Sequence, residues 1–147
     1  MKLLLSFLFA ITGLVISQPK TYVDALRSYE GAGYLDETCS SLICKAHDRV
    51  SKTQVHCTAK ELWEGCGGKL EEVEEAQSLA KLDWSKVKPG DVLAVNGVHV
   101  VAYLGEGQCI DSDPLQGGVA EASARELSEK TNDTWFNGPV HVERWKQ

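Results

Sequence analysis

Cys39, His99 and Asp111 are the residues of this sequence whose types and spacing could perform chemistry. Cys39 follows Thr38 at the expected start of a helix, and His99 lies 60 residues later in an apolar run typical of a strand. A free cysteine is only a few per cent thiolate at neutral pH, so a cysteine nucleophile needs a helix N-terminus or a neighbouring imidazolium. The arrangement predicts nucleophilic catalysis in which Cys39 attacks a carbonyl, His99 transfers protons and Asp111 orients the imidazole.

A tight hairpin is expected to bring His99 and Asp111 to one face of a sheet. Asn96-Gly97 is a strong signal for a two-residue hairpin turn, because both positions must adopt positive φ. This turn predicts that Ala94 lies opposite His99 on the paired strand. A second loop over residues 105–107 then places Asp111 diagonal to His99, with Cα atoms about 7–8 Å apart. At that separation the two side chains can reach each other.

The elements that must position these residues come in the order of helices first and strands second. Apolar spacing predicts a helix over residues 22–29 and a second helix that begins near Thr38. Thr58 and Glu61 have the spacing of a capping box, which predicts the start of a third helix. An acidic fourth helix is predicted over residues 70–81. The predicted strands are residues 92–95, 98–104, 108–112 and 138–142, with a short helix over residues 123–130 before the last strand. This order predicts an α+β fold.

The N-terminus has the pattern of a secretory signal peptide. Lys2 precedes an apolar run over residues 3–16, and cleavage is expected after Ser17. Residues 1–17 are then the signal, and residues 18–147 form a single domain. No second apolar run of about 18 residues follows, so we expect a secreted protein without membrane insertion. The net charge of −6 argues against nucleic acid as a partner, and we expect a monomer without a cofactor.

All five cysteines lie after the predicted signal, in a chain expected in an oxidising compartment. Because five is odd, at least one thiol stays unpaired. If that thiol is Cys39, the candidates for disulfides are Cys44, Cys57, Cys66 and Cys109. Cys57 and Cys66 flank one predicted helix and would lie about 13 Å apart along its axis, too far for a bridge. Cys44 would then pair with one of these two, and Cys109 with the other.

Two segments resemble the signature blocks of NlpC-type cell-wall cysteine peptidases, a branch of the papain-like group. Residues 38–43 resemble the family's run around the cysteine, and residues 89–112 resemble its Pro-Gly-Asp turn, histidine strand and third polar residue. Cys39, His99 and Asp111 occupy the three catalytic places. Thr38 stands where the family usually has aspartate, and Ser41 where it usually has glycine.

Within that group, the sequence is most similar to the amidase effectors of bacterial type VI secretion and their domesticated relatives in arthropods. The signal peptide and extra cysteines suit the domesticated form better. The resemblance implies a papain-like fold with N-terminal helices packed on a small antiparallel sheet. It also implies a secreted antibacterial enzyme of innate immunity that hydrolyses peptide bonds in peptidoglycan stems or cross-links, with bacterial peptidoglycan as its partner.

The same residues allow other interpretations. Cys39 could be a structural half-cystine in a disulfide-stabilised secreted binding module without catalysis. A related papain-like acyltransferase acting on lipids would require a membrane-binding segment, which the sequence lacks.

Two further patterns carry less functional weight. Cys44, His47, His56 and Cys57 faintly resemble a zinc-ligand set, but their spacing lacks a paired half-site, so no metal is expected. Asn132 begins an Asn-Asp-Thr sequon and is a possible glycosylation site.

Overall fold

The computed structural model describes residues 20–130 and 132–147, so the predicted signal peptide and its cleavage site lie outside the described residues. No helix in these two ranges is long and apolar enough to cross a membrane. Short 3-10 turns occur at Cys66–Gly68, Leu79–Lys81, Trp84–Lys86 and Pro114–Gln116. The helices are α1 (Tyr22–Arg27), α2 (Cys39–Ser51), α3 (Ala59–Trp63) and α4 (Ala124–Glu129). The strands are β1 (Leu70–Ala76), β2 (Val92–Val95), β3 (His99–Gly105), β4 (Gln108–Asp113), β5 (Gly118–Ser123) and β6 (Val140–Trp145).

The described strands form one antiparallel sheet in the order β1-β6-β2-β3-β4-β5. Helices α1, α2 and α3 cover one face, while α4 and the turns over residues 79–87 cover the other. Because both faces of β2 and β3 are covered, every residue of these strands is buried, which explains their continuous apolar runs. The predicted α+β architecture of helices packed on an antiparallel sheet is confirmed.

The starts of α2 and α3 are fixed by threonine caps. The Thr38 hydroxyl accepts a hydrogen bond from the Ser41 N–H at 3.3 Å, which satisfies a free donor of the first turn. At α3 the capping box is complete, because Glu61 donates its N–H to Thr58 and its carboxylate accepts the Thr58 N–H at 2.8 Å. Both predicted helix starts are confirmed.

The Asn96-Gly97 turn forms as predicted, with φ angles of 50° and 68°. The predicted register is wrong by one residue, because Val95 rather than Ala94 lies opposite His99. Val98 remains in the turn, where its N–H donates to the Val95 carbonyl at 3.0 Å, so strand pairing starts one residue later. His99 therefore shares a sheet face with Val95. Ala94 belongs to the opposite face, which α1, α2 and α3 cover.

The register between β3 and β4 supports the predicted position of Asp111. Tyr103 pairs with Cys109 and Ala102 with Ile110, as the 105–107 loop implied. Nearer the loop the register shifts, and Gly105 instead pairs with Gln108. This irregularity lies at the far end of the hairpin from His99, so it leaves the relation between His99 and Asp111 intact.

The predicted acidic helix over residues 70–81 is wrong. Residues 70–76 form β1, which pairs with β6 at one edge of the sheet, and a 3-10 turn follows at Leu79–Lys81. Glutamate favours helices locally, but hydrogen bonds and packing with β6 override that preference. The register shifts between Glu72 and Glu74, which marks a bulge in this strand.

The predicted disulfide pairing is also wrong, because Cys57 and Cys66 bond to each other with Cα atoms 5.9 Å apart. Helix α3 ends at Trp63, and the chain turns back at Gly65, where φ is 91°. The 13 Å separation assumed a helix continuing to Cys66. Cys44 and Cys109, the other predicted half-cystines, are buried free thiols on opposite faces of the sheet.

Candidate functional site

Cys39 is the first residue of α2 and is a buried free thiol with 7% of its surface exposed. The Thr38 hydroxyl caps α2 by accepting the Ser41 N–H. The positive end of the dipole of this 13-residue helix is directed at its first residues, which include Cys39. A helix N-terminus stabilises a thiolate. Cys39 is therefore placed as a nucleophile would be, and it is not the structural half-cystine that the alternative interpretation allowed.

His99 and Asp111 form a buried hydrogen-bonded pair. The imidazole Nε2 donates to the Asp111 Oδ2 at 2.7 Å, and both side chains are fully buried. The other ring nitrogen, Nδ1, is buried and forms no hydrogen bond with any residue that the structure describes. One ring nitrogen is thus fixed by a carboxylate, and the other is available for proton transfer.

Cys39 lies beside the His99 ring and affects its ionisation. Burial lowers the pKa of His99, but the hydrogen bond to Asp111 and the interaction with the Cys39 thiol outweigh it and raise the pKa to about 9. The imidazole therefore holds its proton at neutral pH. The structure brings Cys39, His99 and Asp111 into one interacting group, and their catalytic roles stay a prediction.

Aromatic side chains close around the histidine. The Trp135 and Phe136 rings each have centroids 4.9 Å from that of His99, and Phe136 is buried while Trp135 is partly exposed. Tyr34 lies 6.1 Å from Trp135, ring to ring. Burial raises the pKa of the Tyr34 hydroxyl, and the nearby Cys39 and Asp113 raise it further. Tyr34 and Trp135 therefore form a rim over the site, which sequence analysis did not identify.

Glu37 positions the segment that leads into Cys39. Its backbone carbonyl accepts a hydrogen bond from the Ser112 hydroxyl, next to Asp111 on β4. Its carboxylate accepts hydrogen bonds from Ser41 at 2.8 Å and Lys45 at 2.6 Å, both on α2. Glu37 thereby joins the helix that carries the thiol to the strand that carries the carboxylate. Its spacing of four and eight residues from Ser41 and Lys45 was the signal that could have identified it.

The loop between α1 and α2 is fastened to β5 by backbone hydrogen bonds. Gly31 donates its N–H to the Val119 carbonyl and Val119 donates to Ala32, both at 2.9 Å. Gly33 and Gly118 form an isolated antiparallel bridge between them. A Cβ on Gly118 would lie 2.0 Å from the Ala32 carbonyl oxygen, so the close approach requires glycine there. This contact fixes the loop that carries Tyr34 and Glu37.

Asn132 is exposed, as a glycan acceptor must be, and its glycosylation stays a prediction. Asn132 is one of the residues that line an open groove of about 720 Å³, together with Asp113, Leu115, Lys130 and Asp133. Of the four residues in the weak zinc pattern, Cys57 is bonded in the disulfide and is unavailable as a thiolate ligand.

Comparison with known proteins shows a likeness in fold. No protein-family model and no curated protein matches this chain. Among solved structures, NlpC1 from Trichomonas vaginalis superposes with a TM-score of 0.61 at 20% identity, over 93% of this chain and 47% of that protein. The peptidoglycan hydrolase RipB from Mycobacterium tuberculosis gives a TM-score of 0.46 at 19% identity, over 71% of this chain and 43% of RipB. This chain thus matches less than half the length of either protein, and the NlpC1 likeness agrees with the α+β fold.

Proposed function

We propose that this protein is a cysteine peptidase of the NlpC type that hydrolyses amide bonds in the peptide stems or cross-links of bacterial peptidoglycan. The observation that carries the proposal is the buried His99, which is hydrogen-bonded to Asp111 at 2.7 Å and lies beside the free thiol of Cys39. The resemblance of the sequence blocks around Cys39 and His99 supports the substrate class. The fold shared with NlpC1 is compatible with it.

In this mechanism, the Cys39 thiolate attacks the carbonyl carbon of a stem-peptide amide. The negative charge that develops on the carbonyl oxygen is stabilised by N–H groups at the start of α2. His99, protonated at neutral pH, donates its Nδ1 proton to the leaving amine, which breaks the C–N bond and leaves an acyl-enzyme. A water molecule then gives a proton to His99 and attacks the thioester, which releases the acid and restores Cys39.

Asp111 acts as a positioning residue in this scheme. Its hydrogen bond to Nε2 keeps Nδ1 directed at the reacting atoms and stabilises the imidazolium. The buried Phe136 and the partly buried Trp135 hold the ring from its sides and limit water access. The peptide would lie across the Tyr34 and Trp135 rim and extend into the groove beside Asp113.

The biological setting belongs to the same proposal. A signal peptide over residues 1–17 would deliver the enzyme outside the cell, where the Cys57–Cys66 disulfide can form and persist. The similarity to type VI amidase effectors and their domesticated arthropod relatives supports an antibacterial role. Appearance of the protein in culture medium, with the chain beginning at Gln18, would test the secretion step.

The decisive experiment is digestion of purified muropeptides by the wild type and by Cys39→Ala. Lys-type and diaminopimelate-type muropeptides are both tested, and products are identified by mass. The wild type is expected to cleave at least one type with the gain of one water per bond. Cys39→Ala is expected to lose activity by at least ~10³-fold while keeping the wild-type circular dichroism spectrum.

Cys44→Ala is the matched control, because it removes another buried free thiol from the same helix as Cys39. It should retain cleavage, provided that its circular dichroism spectrum shows that it is folded. Full activity in Cys39→Ala would overturn the proposed nucleophile. Saturable muropeptide binding without any product, in a folded wild-type protein, would instead support the binding module.

A further inference from the structure

Glu72, His141 and Glu143 converge on a cavity away from the Cys39 group. Each offers a donor atom, and these atoms lie within 4.8 Å of one another. The three residues line a cavity of about 300 Å³ together with Trp63 and Leu70. Glu72 comes from β1, while His141 and Glu143 are two positions apart on β6 and point to the same face. The group therefore spans two paired strands and lies under α3.

Glu143 is the most unusual member of this group. Its side chain is 3% exposed, and its Oε2 is buried without a hydrogen bond from any residue that the structure describes. Glu72 lies directly opposite in the β1–β6 pairing, so two carboxylates face each other at one position of the sheet. Burial, together with a smaller effect of the nearby Glu72 carboxylate, raises the pKa of Glu143 to about 7. Like charges in this arrangement are unfavourable unless a cation lies between them.

His141 is held in a defined orientation beside the two carboxylates. Its ring stacks on Trp63 with centroids 3.5 Å apart and an interplanar angle of 17°. Its Nδ1 lies 3.2 Å from the Trp63 backbone carbonyl and 3.3 Å from the Glu72 Oε1. A metal-binding histidine typically has one ring nitrogen engaged by a backbone carbonyl or a carboxylate, which fixes the ring and its tautomer. The Trp63 carbonyl is such a partner for His141, whereas Glu72 remains available as a ligand.

We propose that Glu72, His141 and Glu143 bind a divalent transition-metal ion of the zinc class. One imidazole nitrogen and two carboxylates suit Zn²⁺, whereas Ca²⁺ and Mg²⁺ prefer shells of oxygen ligands alone. In a tetrahedral zinc site with bonds near 2.0–2.1 Å, ligand atoms lie about 3.4 Å apart. Small rotations of the two glutamates would close the present 4.8 Å spread to that geometry. A water molecule would complete the fourth position.

The bound ion would join β1 to β6 beneath α3. It would neutralise the facing carboxylates and give the buried Glu143 oxygen a partner. The site shares no residue with Cys39, His99 and Asp111, so it does not depend on the proposed peptidase chemistry.

Zinc binding is tested by calorimetric titration with ZnCl₂ and by the thermal unfolding midpoint with and without zinc. The protein is untagged, treated with a chelator and carries Cys39→Ala, because a thiol beside an imidazole could itself bind zinc. We expect one zinc ion per chain and a higher unfolding midpoint, with no comparable effect of CaCl₂. Glu143→Gln and Glu72→Gln, added singly, should each weaken zinc binding by at least ~100-fold.

Glu71→Gln is the matched control, because it makes the same charge change at an exposed neighbouring position of β1 that pairs with Arg144 instead. It should bind zinc like its parent. Without zinc, Glu143→Gln should unfold at or above the parent midpoint, since one of two facing charges is gone. Absence of saturable zinc binding, or unchanged binding in both Glu143→Gln and Glu72→Gln, would overturn the site.

Discussion

His99 is a histidine with no exposed surface whose two ring nitrogens have different neighbours. The carboxylate of Asp111 binds Nε2, and the thiol of Cys39 lies beside the ring. Isolated burial would favour the neutral imidazole, so the raised pKa of His99 shows that these two partners outweigh desolvation. Whether the His99 ring is protonated therefore affects both the proposed catalysis and the free energy of unfolding.

The free energy of unfolding should fall as the pH rises from about 6.5 to about 9. Between the ordinary histidine pKa and the folded value near 9, the folded state binds more protons than the unfolded state. The stabilisation from His99 is therefore complete below pH 6.5 and lost above pH 9. Chemical denaturation at a series of pH values measures this slope.

The Asp111→Asn variant is compared with the wild type to find the cause of the change in unfolding free energy between pH 7 and 9. It removes the negative partner of Nε2, so the folded pKa of His99 should drop and the pH dependence in this window should flatten. The pKa of Glu143, raised to about 7, affects stability mainly below this window, and the raised pKa of Cys109 affects it mainly above. Equal slopes for the two proteins would contradict the proposed coupling between His99 and Asp111.

At the scale of elements, the sequence predicted what is determined locally. The Thr38 cap, the Thr58 capping box and the Asn96-Gly97 turn each depend on residues within four positions of each other. The register between β3 and β4 followed from a short loop in the same way. That register alone places Asp111 diagonal to His99.

The errors have two sources, which are contacts between distant parts of the chain and short reversals whose geometry the residue types alone do not determine. β1 has the composition of a helix, and only its pairing with β6 makes it a strand. Cys57 and Cys66 approach each other because the chain reverses at Gly65 rather than continuing a helix. Trp135, which joins the candidate site through tertiary packing against His99, has no local signal of that role.

The Cys57–Cys66 disulfide is expected to stabilise the region around α3. Closing a loop of this length restricts the unfolded chain by about 2–3 kcal/mol, so the paired variant Cys57→Ser with Cys66→Ser should lose roughly that free energy of unfolding. Denaturant titration measures the loss. Thiol titration of the unfolded, unreduced wild type should detect Cys39, Cys44 and Cys109.

Cys44→Ala controls for the loss of a buried thiol near the same helices, because it breaks no disulfide. It should leave the Cys57–Cys66 bond intact in peptide maps. A single reactive thiol in the unfolded wild type would contradict the observed pairing and restore the sequence-based connectivity.

At the scale of the whole molecule, the site depends on segments that lie far apart in the chain. Glu37 connects α2 to β4, and the bridge between Gly33 and Gly118 holds the preceding loop against β5. Loss of either connection would leave the helices and strands formed but would shift the thiol relative to the imidazole. A shift of about 1 Å is enough to lower catalytic efficiency strongly.

Gly118→Ala should lower both stability and muropeptide cleavage. Its new Cβ would lie 2.0 Å from the Ala32 carbonyl oxygen, so the loop over residues 31–37 must move. We expect a loss of at least ~2 kcal/mol in the free energy of unfolding, measured by denaturation, and a matching fall in kcat/KM.

Gly117→Ala is the control that has the backbone strain of a positive φ but lacks the steric clash expected in Gly118→Ala. Gly117 also has positive φ, at 81°, but a Cβ there meets no atom within 4 Å. This variant should lose only about 1 kcal/mol and should keep its activity. Equal effects of the two alanines would show that the contact with the loop has no special importance.

The two edges of the sheet are protected in different ways. The loop that carries Gly33 pairs with part of β5. At the other edge, β1 pairs with no further strand among the described residues and carries a row of glutamates, Glu71, Glu72, Glu74 and Glu75. An uncovered strand is a template for pairing with another molecule, and a dense row of like charges opposes it. The composition that misled the helix prediction therefore acts against aggregation: two copies that meet edge to edge would repel each other until acid neutralises the carboxylates.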